Sequence, residues 1–159
     1  MTTSFTLTAL ALIVAGIAAI SSFIISKNPE AKEQLDKLKP ISGWVGVSLL
    51  LIGLINFFGI PRFTVPYWDL FGAVKYFSII PKLTILLYSP ICIVLGFMQG
   101  YGLIDKYVLN KAKEKGGAGA KFDKIGDSAY EKIAKYTTAV GFIGISVGLV
   151  LLLIQWGII

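Results

Sequence analysis

Apolar residues in this chain come in long uninterrupted blocks, without the alternation of a half-buried strand or the single apolar stripe of a surface helix. Residues 1–26, 40–61, 83–104 and 136–159 contain no Lys, Arg, Asp or Glu, and every charged residue falls in the three intervals between them. A helix of about 20 apolar residues, rising roughly 1.5 Å per residue, crosses a hydrocarbon core of about 30 Å. The pattern therefore predicts an all-α, polytopic membrane protein. It has four transmembrane helices, at about 5–25, 41–60, 83–104 and 136–159, in a single membrane domain over 1–159.

The three connections differ. In 26–40, Asn28-Pro29-Glu30 reads as a helix start: Asn caps free N–H groups, Pro suits the first turn and Glu favours the dipole. Lys32 with Asp36, and Glu33 with Lys37, stand at i,i+4 spacing, which predicts a short amphipathic helix at the membrane surface. The connection 61–82 carries Phe63, Tyr67, Trp68, Phe71, Tyr76 and Phe77, a density of aromatic rings suited to the headgroup layer. An in-plane outer helix is expected there, with Tyr67, Trp68, Phe71 and Phe77 either anchoring the bundle or docking a partner. The connection 105–135 holds Gly116-Gly117-Ala118-Gly119-Ala120-Lys121. A phosphate loop needs Ser or Thr after its Lys, and Phe122 stands there, so the segment reads as a turn, with a helix opening at Asp127 or Ser128.

An internal repeat is visible at an offset of 98, where 31–60 lies over 129–158 without a gap. Glu33/Glu131, Lys37/Lys135, Gly43/Gly141, Gly46/Gly144, Ser48/Ser146 and Gly59/Gly157 are identical pairs. A weaker match joins Ile13-Val14-Ala15-Gly16 to Ile93-Val94-Leu95-Gly96. Together they suggest a tandem duplication of a two-span unit, with parallel topology.

Charge then changes the picture. The net charge of +6 would suggest nucleic acid in a soluble protein, but its placement gives a plainer cause. Lys27, Lys32, Lys37 and Lys39 lie in or beside the first connection, and eight more lysines lie between 106 and 135. Cytoplasmic loops carry the Lys/Arg excess, so 26–40 and 105–135 are expected inside, with both termini and 61–82 outside. A prokaryotic inner membrane is the expected location, membrane lipids are expected contacts, and no nucleic-acid partner is expected. With 15% charged residues against about a quarter in soluble domains, a soluble enzyme, a DNA-binding domain and a disulfide-built scaffold are excluded.

Little in the blocks offers chemistry. There is no His, Cys92 is alone, and the spans hold no carboxylate, so no catalytic residue, metal site or cofactor is expected. Asn56 and Gln155 are expected near the outer ends, solvated by headgroup water. Gln99, toward the cytoplasmic end of its span, is expected in a helix–helix hydrogen bond or solvated at the interface, with a pore-lining role for Gln99 and Tyr88 as the lesser alternative. Small residues instead recur at three- and four-residue spacing: Gly43, Gly46 and Gly53; Gly96 and Gly100; Gly141, Gly144 and Gly148. In lipid, close backbone approach and dispersion hold helices together, so these glycines are the candidate packing and interaction residues. The reading that results is a non-enzymatic accessory or structural subunit, packing against itself or other membrane subunits. A passive channel or facilitator, and a lipid-contacting, membrane-shaping protein, are the alternatives.

Overall fold

A computed structural model describes residues 3–58, 79–114 and 118–158, and among these the chain is helical with no strand. Helix α1 (Thr3–Ala19) is followed by α2 (Ser21–Lys27). The N–H of Ile20 donates to Gly16 O and that of Ile24 to Ile20 O, both at 3.0 Å, so the hydrogen-bond ladder runs on across Ile20. Asn28 takes extended backbone and its Oδ1 accepts the N–H of Glu30 at 3.2 Å, with Pro29 opening a single 3-10 turn (Pro29–Ala31). The cap expected from sequence is present, but the helix it opens is broken into this turn and a short α3 (Lys32–Asp36). Glu33 pairs with Lys37 at 3.3 Å as the spacing suggests; Asp36 pairs with Lys39 at 2.6 Å rather than with Lys32. Its hydrogen bond to the Lys39 ammonium holds the Asp36 carboxyl below its ordinary value.

Helix α4 (Lys39–Phe58) starts with Pro40 in its first turn, where the missing N–H has no intrahelical partner to lose. Residues 59–78, and with them Tyr67, Trp68, Phe71 and Phe77, lie outside the described residues. Helix α5 (Ile79–Ile104) begins ahead of the charge-free block and tolerates Lys82 because that side chain is exposed. It runs into a π-helical turn (Asp105–Leu109) and then α6 (Asn110–Glu114). Helix α7 (Ala118–Ala134) opens well before the start expected at Asp127 or Ser128. Ala and Lys are good helix formers, and they carry the helix back toward the glycine pair. Helix α8 (Thr137–Gln155) ends at Gly157, whose φ of +68° suits a residue without Cβ. There the Ile158 N–H donates to Leu153 O and the Gly157 N–H to Ile154 O, satisfying two terminal carbonyls.

Among the described residues, three helices are long and apolar enough to cross a membrane: Lys39–Phe58, Ile79–Leu109 and Thr137–Gln155. Helix α1 is as apolar but has 17 residues. Helix α4 packs chiefly on α5 and α1 on α8, and the two pairs meet through α5 with α8 and α1 with α4. Leu12, Leu49, Cys92 and Leu95 are fully buried where the pairs meet, and Ala9, Ala15, Tyr88, Val147 and Leu151 surround them. The opposite faces carry bulky apolar side chains in the open. On α4 these are Ile41, Trp44, Leu51 and Phe58, at helical spacing.

Candidate functional site

The glycines picked out by spacing all sit at helix–helix contacts of this one chain. A Cβ on Gly46 would strike the backbone of Gln99 and Gly100, and one on Gly96 would lie 2.7 Å from Leu50 Cα and 2.8 Å from Gly46 O. Cβ atoms at Gly53 and Gly100 would stand 2.9 Å from Ile93 N and Val47 N. Across the other pair, a Cβ on Gly141 would be 2.6 Å from Ile20 Cγ2 and one on Gly148 2.8 Å from Ala9 O. Gly144 faces the Leu95 side chain and Gly43 the Leu103 side chain, so these two touch side chains rather than backbone. Helices can approach this closely only where no side chain intervenes, and the gain is dispersion between backbones. Sequence spacing missed Gly16, which belongs to the same set: its Cβ would lie 2.8 Å from Gly141 O. The match of Gly16 to Gly96 was the signal that could have found it.

The two pairs share one contact pattern. Gly46, Leu50 and Gly53 of α4 meet Gly100, Gly96 and Ile93 of α5. Gly141, Ile145 and Gly148 of α8 meet Ile20, Gly16 and Ile13 of the α1 segment at the same spacings. These contacts correspond at offsets of 95 and 80 residues. The helix starts Lys39 and Thr137 instead keep the offset of 98 seen in the sequence. The seam has slipped by about one turn relative to the sequence match.

One pair adds polar chemistry. Asn56 Nδ2 donates to Tyr88 Oη across α4 and α5, and Ser89 Oγ donates to Gly53 O at 3.0 Å. Asn56 is 1% exposed, against the expectation of headgroup solvation, because Tyr88 reaches it from the neighbouring helix. Its Oδ1 has no hydrogen-bond partner, and neither has Gln155 Oε1, which is buried where outer water was expected. Gln99 lies against Gly46 through its Cβ and backbone. Thr84 Oγ1 bonds its own helix at Ile80 O (2.9 Å). Cys92 is a free, fully buried thiol. Among the described residues no three His, Cys, Asp or Glu side chains gather in a metal-binding group.

Two further features complete the surface. A groove of about 320 Å³ between α5 and α8 is lined by Leu83, Leu87, Phe142, Ile143 and Val147 among others. At the far end of α5, Tyr101 stacks on Tyr130 of α7 with ring centres 4.6 Å apart, and its hydroxyl donates to Asp127 Oδ1. Comparison with protein-family models, curated proteins and solved structures gave no match.

Proposed function

We propose that this chain is a non-enzymatic integral membrane protein, a structural or accessory subunit built to pack into a membrane complex of its own copies or other subunits. In this reading α1 with α2 forms a fourth span beside α4, α5 and α8, and the chain is a tandem duplication of a two-span unit. The repeated glycine contacts support the duplication, since two seams with the same 4-and-3 spacing are what a copied unit would bring. The slipped register belongs to divergence after copying. The Lys-rich segments 26–40 and 105–135 face the cytoplasm and both termini the outside, in line with the lysine count.

The observation that carries the packing role is the division of faces. Small residues are used up inside the chain, and bulky side chains such as Trp44, Leu51 and Phe58 are left outside, where lipid or another subunit must cover them. The filled centre at Leu12, Leu49 and Leu95 weighs for packing over conduction through one copy. The test is chemical crosslinking in native membranes followed by purification in mild detergent. A reproducible crosslinked partner or self-oligomer is expected. A monomer that crosslinks to nothing, or solute flux through liposomes holding the chain alone, overturns the reading.

A further inference from the structure

The outward face of α7 is unusual for a helix that only faces water. Lys121, Lys124, Ser128 and Lys132 recur along it at three- and four-residue intervals and are all exposed, as is Lys135 in the turn that follows the helix. At about 100° per residue those on the helix fall within one narrow stripe. Beside that stripe stands Ile125, 65% exposed, and just past the end of the helix Tyr136 is 66% exposed. The opposite face is fixed elsewhere: Tyr130 stacks on Tyr101, and a Cβ on Gly126 would lie 3.3 Å from Tyr101 Oη. Of the acidic side chains described on the helix, Asp127 is occupied by the Tyr101 hydroxyl, and Glu131 stands at the edge of the stripe.

We propose that this face binds the anionic headgroups of the surrounding bilayer, with the lysines on the phosphates and Ile125 and Tyr136 entering the headgroup layer. Charge complementarity selects the occupant. Three aligned ammonium groups, with that of Lys135 just beyond the helix, attract a negatively charged surface, and large apolar side chains next to them gain from partial burial there. Neither feature alone separates lipid from water; their juxtaposition does. Docking through Tyr101 ties the helix to the end of α5, where Lys106 also extends over the Tyr107 ring at 5.4 Å. The inference rests on the membrane reading, and its experiment separates the two.

The full chain is reconstituted into bilayers of phosphatidylcholine alone or mixed with phosphatidylglycerol, and amide hydrogen exchange is followed across 118–134. Exchange is expected to slow at least about tenfold in the anionic bilayer, and to recover in high salt. Lys→Gln substitution at 121, 124, 132 and 135 together should abolish the difference, and Lys→Arg at the same four positions should keep it. Equal exchange in both lipids overturns the inference, as would contact with an acidic soluble partner, which leaves exchange indifferent to lipid. Loss of the difference in the Arg variant, or its survival in the Gln variant, also overturns it. Extraction of the protein from either bilayer by alkaline carbonate overturns the membrane reading itself. Retention with no lipid preference overturns only this inference.

Discussion

The α4–α5 and α1–α8 pairs reach the same close approach by the same glycine spacing, and the α4–α5 pair carries side-chain hydrogen bonds between its helices. Where α5 has Ser89 donating to Gly53 O, the matching position of α1 is Ala9, with its carbonyl under Gly148. Where α4 has Asn56 bonded to Tyr88, the corresponding contact position on α8 is Leu151. Backbone proximity is therefore the common element, and the polar groups differ: Asn56, Tyr88 and Ser89 in one pair, a buried Thr8 in the other. The difference teaches that one glycine spacing accommodates different polar groups, which serve to fix register or orientation where they bond across helices.

The largest test of this equivalence is steric. Gly96→Val and Gly16→Val insert side chains at matching contacts, each against a backbone carbonyl 2.8 Å from the new Cβ. Each should destabilise the bundle by about 1–3 kcal/mol, the usual cost of overpacking, read as reversible unfolding in detergent. A loss at Gly96 without one at Gly16 would break the equivalence.

The polar pair comes next. Tyr88→Phe leaves the buried Asn56 amide without its partner and should cost about 1 kcal/mol by the same measurement. Combining it with Asn56→Leu should restore most of that loss, because both members of the bridge are then apolar. A double variant as unstable as the sum of the single ones would show that the two side chains act independently.

The smallest effect is a transplant. Ser89→Ala should lower stability by about 0.6 kcal/mol, the average for a hydrogen bond between membrane helices. Ala9→Ser, at the matching site, should raise it by no more than that if its hydroxyl reaches the Gly148 carbonyl. No gain would mean that the α1–α8 pair lacks the geometry for the bond, sharpening where the two seams diverge.

Helix positions were legible because charge is so unevenly placed. Lys39 and Thr137 begin α4 and α8 within a few residues of charge-free blocks, and spacing alone selected Gly46, Gly53, Gly96, Gly141 and Gly148. What could not be read depends on partners far along the chain. Asn56 looks solvated near the end of its block, and only the approach of Tyr88, 32 residues later, buries it. Helix α7 was cut short because Gly and Lys read as a loop by composition, although the Tyr101 stack supports the helix from outside. The aromatic cluster of 61–82 was legible as composition, and its residues Tyr67, Trp68, Phe71 and Phe77 fall outside the described part of the chain.

The π-helical turn at Asp105–Leu109 sets the phase of α6, which continues directly from it. A π turn holds one residue more than the α turn it replaces, so α6 is rotated by about 100° from where an unbroken α-helix would aim it. Leu109 is buried and lies 3.6 Å from where a Cβ on Gly126 would stand, while Tyr107 and Val108 point out. Deleting one residue from 105–109 would leave Ile79–Ile104 unchanged yet turn the Lys111 side of α6 to a new azimuth. The orientation of α6 is thus set by a single inserted residue at the end of a membrane-length helix, while α7 is held by its stack on Tyr101.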